Sequence, residues 1–307
     1  MAETLKLEVP ERLEGDRIDK ALADLLDLSR AQARLLLDAG VLIDGAPARP
    51  SDRVRAGAEI VSPMPLAVVE VQAEPVDFGV IHEDPALIVV DKPPGLVVHP
   101  GAGRKDATLA AGLLHRYPEL EGVGAPGRWG LVHRLDRDTS GVLLVARTQA
   151  AYEQLSSELK RRHIGRVYIA LVHGSFATPT GTIDAPIGRD PARPTRRAVI
   201  AGGKPAVTHY EVVETYPESD VSLLEVRLET GRTHQIRVHM TAIDHPVLGD
   251  RTYSTLNHPV RTPRIFLHAR TVELHHPTSG ERVSYSAPMP TDLTKVLSIL
   301  EGRALGQ

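Results

Sequence analysis

Hydrophobic and polar positions alternate with two different textures along the chain. Over residues 13–62 the spacing is helical at first. Ile18, Leu22, Leu25 and Leu26 recur on one face behind the polar run Arg17 to Lys20, apart from Ile18 itself, which predicts a first helix. Ser29 is placed to cap a second helix, with Gln32 three positions on as its capping-box partner. Leu35, Leu36 and Leu37 supply that helix's buried face, and Gly40 ends it. VLIDGAPA then predicts a short strand and a hairpin turn at Asp44-Gly45, and VRAGAEIVSP closes the unit. A proline-spaced linker over 63–78 separates this helix–helix–hairpin unit from the rest.

From residue 79 to 307 short β-branched runs dominate: ALIVVDKP, GVLLVA, RVYIALVHG, HYEVVETYP, VSLLEVRLET and RTVELHHP. Helical patterns interrupt them near 107–116, 149–163 and 233–243. Strands outnumber helices, and their connections do not alternate as regular βαβ units. The expected fold class is therefore α+β, a catalytic-sized domain on a long mixed or antiparallel sheet preceded by a small α/β module.

Composition narrows the function classes. The chain has 307 residues with 42% apolar and 24% charged content, the balance of a globular protein with a sizeable core. It contains no cysteine. That excludes disulfides, thiolate zinc sites and cysteine nucleophiles, and suits a reducing compartment. The first twenty residues are too charged for a signal peptide, and no window reaches the roughly 18 apolar residues that span a bilayer. The expectation is a cytoplasmic protein without a membrane partner, and a monomer, since nothing reads as an association surface. A net charge of −3 does not advertise a nucleic-acid partner, but arginine is locally dense in ELKRRHIGR, IGRDPARPTRR and TGRTHQIR, and charge distribution matters more than its sum.

The densest chemistry lies in GLVHRLDRDTSGVLLVART, residues 130–148. In an extended chain Arg134 and Asp136 face one way and Leu135 faces the core. Asp138, Thr139, Ser140 and Gly141 supply turn chemistry, and the apolar run that follows holds the loop rigidly on a strand. A carboxylate so placed suits acid–base work or nucleophilic attack. It also needs a cation, because burial alone would favour its neutral form. TGRTHQIRVHM, residues 230–240, offers Arg232 before a helix that Thr233 is placed to cap, and Arg237 within it. Either reaches a carboxylate or a phosphate. Other chemistries find less support. His234 and His239, and the adjacent His275 and His276, lack the helical spacing of a zinc site. Ser140 lacks a nucleophile-elbow context, and GAGRKDATLAAG is not a phosphate-binding loop.

Taken in order, IVVDKPPGLVVHPG, HRLDRDTSG, RVYIALVHG, PIGRD, GKPAVTHYEV, TGRTHQIRVHM, HPVLGDRTY and RIFLHART resemble the RluA/RluD family of pseudouridine synthases over nearly the whole chain. LSRAQARLLLDAGVLIDG resembles the S4 RNA-binding module, with Arg30 and Arg34 as its RNA-binding candidates. The resemblance implies an isomerase that converts uridine to its C-glycoside without cofactor or metal, acting on large-subunit (23S) ribosomal RNA. Asp136 would be the nucleophile, Tyr168 would stack on the flipped uracil, and Arg237 would pair with the aspartate. Arg134 would hold a phosphate or fill the space the nucleotide leaves. Arg232, His133 and Leu267 complete the substrate-binding candidates, His133 and Asp138 reading chiefly as loop architecture and Leu267 as pocket wall or core. Two features depart from the family pattern: Arg166 stands where lysine is expected, and the chain is slightly acidic. The alternatives are a transfer RNA or dual-specificity synthase, and a non-catalytic RNA-binding assembly factor.

Overall fold

The computed structural model describes residues 4–26, 28, 30–63, 71–99, 107–124, 128–193, 195–256 and 258–304. The chain divides into two compact units, a small one ending at Val71 and a large one beginning at Gln72.

In the small unit the one-face spacing produces α1 (Ile18–Leu25), followed by α2 (Arg30–Asp38). A four-stranded sheet lies alongside, formed by β1 (Thr4–Glu8), β2 (Leu42–Ile43), β3 (Ala46–Pro47) and β4 (Glu59–Pro63) in the order β1-β4-β2-β3. Asp44 and Gly45 both take positive φ, 48° and 79°, which is the turn that matches the twist of a two-residue hairpin. Ile18, Leu22, Leu36, Leu37, Val54 and Ile60 form the core.

Two expectations are corrected here. The sheet begins at Thr4, not after residue 13, because β1 pairs with β4 along its full length. Its alternation is shallow, Leu5 and Leu7 being only half-buried, so it leaves a weak apolar signal. Leu35 is 59% exposed. Three consecutive leucines sweep most of a helical turn, and only Leu36 and Leu37 fall on the inner side. The cap proposed for Ser29 and Gln32 lies outside the described residues.

The large unit is built on nine strands: β5 (Gly79–Glu83), β6 (Leu87–Lys92), β7 (Ser140–Ala146), β8 (Gly165–His173), β9 (Thr180–Asp184), β12 (Val207–Tyr216), β13 (Val221–Leu228), β14 (Leu267–His275) and β15 (Arg282–Ser286). Their order is β5-β6-β7-β14-β8-β13-β12-β9, with β15 added to β14. The hairpin β10 (Ile187–Arg189) and β11 (Arg197–Val199) stands apart as a two-stranded ribbon. The sheet is mixed, since β7 and β14 run parallel and the other pairings are antiparallel.

Four helices accompany the sheet: α3 (Leu109–Arg116), α4 (Gln149–Lys160), α5 (Gln235–Ala242) and α6 (Thr291–Ala304). Thr108 and Thr148 cap the first two by accepting from Ala111 and Ala151 N–H. Ala151 and Leu155 of α4 pack with Leu87, Val89 and Leu144, and Val238 of α5 packs with Ile187 and Ala206. The sequence reading overlooked α6, although Leu293, Val296 and Leu300 have helical spacing and pack with Ile169, Leu171 and Phe266.

One register row organises the centre of this sheet. Lys92, Gly141, Ala269, Tyr168 and Val226 are successive partners across β6, β7, β14, β8 and β13. The β7–β14 contact in that row is very close. Gly141 has φ +113°, and a Cβ on it would lie 2.1 Å from the Ala269 carbonyl oxygen. Gly141→Ala is therefore expected to lower stability by about 2–4 kcal/mol, through both strain and overlap. Urea denaturation of the two proteins measures this, and equal midpoints would contradict it.

Candidate active site

The loop that enters β7 is clamped from two directions. On one side Lys92, fully buried, donates to the carbonyls of Pro93 and Leu96 at 2.8 Å each and of Arg137 at 2.9 Å. All three ammonium hydrogens are thus used on backbone oxygens. Burial pushes the Lys92 pKa down to about 7, against the pull of Asp138 and Asp136 and with that of Arg264. On the other side Arg264 donates to the Asp138 carbonyl at 3.2 Å and the Ser140 hydroxyl at 3.0 Å, and pairs with Asp292 of α6 at 2.7 Å. The Ser140 hydroxyl donates to His268 Nδ1 at 3.0 Å, and His268 Nε2–H donates to the Ala287 carbonyl at 3.3 Å.

Within the clamp the chain alternates as its sequence requires. Leu135 is buried, Arg134 is exposed, and Asp136 is half-buried. The Thr139 N–H donates to the Asp136 carbonyl at 3.2 Å and closes the turn. His133 points to the strand, where its Nε2 accepts from the Leu144 N–H at 2.9 Å. Burial, helped by Arg166, pushes its pKa down to about 3, so it is a neutral support at physiological pH. Asp138 spends its carboxylate on the neighbouring Arg137, at 3.0 Å to each oxygen.

Arg237, in the first turn of α5, joins this loop to the rest of the unit. Its Nη1 donates to Asp136 Oδ2 at 3.0 Å. Its Nε and Nη2 grip Asp250 at 2.7 and 2.8 Å as a two-pronged pair. Asp250 is almost wholly buried and also accepts from the N–H groups of Thr252 and Tyr253 at 2.8 and 3.1 Å. Burial opposes both charges. The two carboxylates nevertheless raise the Arg237 pKa, and Arg237 with the two amides lowers that of Asp250. The guanidinium therefore stays charged and fixed beside Asp136.

The start of α5 is equally determined. Gln235 accepts from the Thr230 hydroxyl and the Arg232 N–H, and donates to the Val207 carbonyl and the Thr208 hydroxyl. One turn on, His239 contacts Thr208 and the Ala185 carbonyl. These two side chains bind α5 to β12 and leave Arg237 for Asp136. Thr233 is not the cap. His234 holds that position with φ 59° and no side-chain capping bond, a left-handed conformation that costs a non-glycine residue roughly 1–3 kcal/mol. His234 Nδ1 is 2.7 Å from the Tyr253 hydroxyl, and Nε2 is 3.8 Å from Asp136 Oδ1. Tyr253 also lies under Arg237, 5.0 Å from guanidinium carbon to ring centre.

Tyr168 is buried on β8 in the register row described above. Burial raises its pKa; Arg166 opposes this and Asp136 adds to it, so the phenol and the carboxylate feel each other. Arg166 reaches the Leu228 and Glu229 carbonyls. A Cβ on Gly231 would lie 2.6 Å from its Nη1, which accounts for glycine there. The remaining candidates are more scattered. Arg232 Nε donates to the Pro205 carbonyl at 2.9 Å, and Leu267 is buried on β14 opposite Ala170. In the small unit Arg34 is exposed on α2, 4.0 Å from Asp38, and the Arg30 side chain lies outside the described residues.

The structure thus brings together Asp136, Arg237 and Tyr168, and adds Asp250, His234, Tyr253, Lys92 and Arg264. Sequence reasoning had quoted HPVLGDRTY and DKPPG without assigning roles. Their signal was charge beside apolar residues: Asp250 after Val247-Leu248-Gly249, and Lys92 after Ile88 to Val90. Chemically the site presents one carboxylate with an oxygen capped by a permanent cation and the other open. Among the described residues no group of three or more His, Asp or Glu side chains is arranged to hold a metal ion.

The family model described as RNA pseudouridylate synthase matches residues 86–242. An uncharacterized RNA pseudouridine synthase of Chloroflexus aurantiacus is 46% identical over 99% of this chain and 96% of its own. The ribosomal large subunit pseudouridine synthase D of Pseudomonas aeruginosa is 42% identical over 95% of this chain and 94% of its own. Among solved structures, human RNA pseudouridylate synthase domain containing 1 superposes with a TM-score of 0.58 at 29% identity, covering 76% of this chain and 98% of its own.

The neutral His133 generates a pH prediction. Its folded pKa, about 3, is below the roughly 6.5 of a free histidine. The unfolded chain therefore binds the extra proton between those values, and stability falls as pH drops from about 6.5 towards 3. His133→Gln, which keeps an acceptor for Leu144, is expected to flatten that part of the curve of denaturation midpoint against pH. Parallel curves for the two proteins would refute the assignment.

Proposed function

The chain belongs to the RNA pseudouridylate synthase family, and from that premise we propose that it isomerises uridines of large-subunit ribosomal RNA with Asp136 as nucleophile. In the reaction the N1–C1′ bond breaks and C5 bonds to C1′. C5 loses a proton and N1 gains one, so the composition of the RNA is unchanged. The observation that carries the reading is the ion pair at 3.0 Å between Asp136 and Arg237, itself held by Asp250. It orients a carboxylate in a partly closed site, as attack requires. The choice of RNA rests on the relatives named for the ribosomal large subunit.

The other side chains take roles consistent with their places. The target nucleotide must leave its stack to reach Asp136, and Tyr168 is assigned to stack on the uracil. Arg134, exposed beside Asp136, is assigned a phosphate of that nucleotide, and Arg232 a neighbouring backbone contact. Leu267 forms pocket wall. His133, turned to the backbone of β7, supports the loop and does not touch substrate. The small unit is assigned as an S4-like RNA-binding module, supported by its helix–helix–hairpin order and the exposed Arg34, with Arg30 as a second phosphate contact. Such contacts weaken as salt rises. The proposed setting is the cytoplasm, as a monomer; among the described residues no helix is long and apolar enough to cross a membrane.

The test is to incubate the protein, with Asp136→Asn in parallel, with unmodified large-subunit ribosomal RNA and to map pseudouridine by carbodiimide-dependent primer extension. Sites made by the wild type alone are expected. Turnover by Asp136→Asn would reject the nucleophile, and no sites from folded wild type would reject this substrate in favour of transfer RNA. Removing residues 1–71 is expected to weaken RNA binding or site selection at least about tenfold while some catalysis remains. Unchanged affinity and site choice would reject the module's role.

A further inference from the structure

The two oxygens of Asp136 are not equivalent, and His234 is the reason to look at the second. Arg237 occupies Oδ2 at 3.0 Å. Oδ1 faces His234 Nε2 at 3.8 Å, beyond hydrogen-bond range. The opposite side of the imidazole is tied down, Nδ1 lying 2.7 Å from the Tyr253 hydroxyl. That hydroxyl also accepts from the Arg197 N–H of β11 at 2.9 Å.

Proton counting favours one tautomer. A tyrosine hydroxyl has a single proton. With Arg197 as donor on one side, the arrangement that gives that proton an acceptor sends it to His234 Nδ1. In that arrangement the neutral imidazole carries its own proton on Nε2, towards Asp136. The left-handed backbone of His234, φ 59°, is what turns the ring between these two partners.

We propose that His234 is a positioning residue for the reaction: Tyr253 holds it neutral with Nε2–H facing Asp136, and Oδ1, the oxygen Arg237 leaves open, is the atom that bonds to the substrate. This rests on the reading of Asp136 as nucleophile. A neutral N–H dipole just outside bonding distance orients Oδ1 without using up its lone pair. A second proton, on Nδ1, would cost the bond donated by Tyr253. It would also place a full positive charge against Oδ1, where a charge-assisted hydrogen bond would quench attack. In the forward step an Oδ1 lone pair forms a C–O bond, either at C1′ as the N1–C1′ bond breaks and its electron pair leaves on the uracil, or at C6 as the C5=C6 π pair moves into the uracil ring. Oδ2 becomes the carbonyl oxygen and still accepts from Arg237. When the C–O bond breaks, the carboxylate is restored.

The surroundings favour the neutral ring. Burial opposes its protonation first; Arg237 on α5 and Arg134 on the loop also oppose it, while Asp136 and Asp250 favour it. The result is a pKa below that of ordinary histidine. Tyr253 faces the ring edge-on at 5.5 Å.

The experiment measures single-turnover tritium release from a large-subunit ribosomal RNA transcript labelled at uridine C5, from pH 5 to 9. Wild type, Asp136→Asn, His234→Gln and Tyr253→Phe are compared. The wild-type rate is expected to fall on the acid side of neutrality as His234 takes its second proton. His234→Gln should be roughly tenfold slower at neutral pH and lose that acid limb, because glutamine does not titrate. Tyr253→Phe keeps the ring under Arg237 but frees Nδ1, so its acid limb should move up by about one pH unit. It carries the test alone if His234→Gln does not fold. Wild-type profile shapes in both variants, at any rate, would overturn the proposal and leave His234 a structural residue. Turnover by wild type with none by Asp136→Asn keeps the nucleophile reading intact whatever the other two variants do; a wild type without turnover would reject this RNA as the substrate, and the same four proteins are then compared on a transfer RNA transcript labelled at uridine C5, where the same outcomes decide.

Discussion

One guanidinium shared between two carboxylates is the interaction on which the site depends. Arg237 commits two of its nitrogens to buried Asp250 and one to Asp136. The first pair is architectural. It fixes a cation at the start of α5 and, through the Thr252 and Tyr253 amides, fixes the segment that supplies Tyr253. The second pair borrows that rigidity. Taking the charges out of water is costly, and removing one partner of such a buried pair typically costs about 3–5 kcal/mol. The same cost keeps Asp136 from adopting another arrangement.

The sheet supplies the opposing support. Parallel pairing of β7 and β14 at Gly141 and Ala269 brings Tyr168 into the row that ends at Lys92. Lys92 and Arg264 then hold the carbonyls of Arg137 and Asp138. The loop is thus gripped through its backbone, just past the aspartate, by Lys92 and Arg264, and the aspartate's side chain by Arg237. A loop held this way loses little entropy when substrate arrives, which is the physical advantage of a pre-organised site.

Much of this was legible as local pattern. The HRLD segment, with a leucine between two polar residues and a β-branched strand behind it, predicted Leu135 inside and Arg134 and Asp136 more exposed, and their burial follows that order. A long sheet and helices α3, α4 and α5 followed from periodicity, while the parallel β7–β14 pairing that makes the sheet mixed did not. The misreadings share a cause. β1 and α6 pack only part of one face and give faint signals. Leu35 and Thr233 were assigned from residue type alone, where helical geometry and a left-handed His234 decided otherwise.

By itself the sequence determined most of the segments that become strands and helices, that no cysteine chemistry is available, and that Asp136 belongs to an apolar-anchored turn motif. These are properties of neighbours within a few residues, where side-chain spacing and turn preferences act. It left open whether Arg232 or Arg237 meets the aspartate. Only the tertiary structure decided that, because Gln235 and His239 anchor one side of α5 to β12 and turn Arg237 the other way. The partnership with Asp250 and the Tyr253–His234 contact arise likewise from residues 13 and 19 positions apart. Their meeting is set by how the helix docks on the sheet, which no local preference encodes.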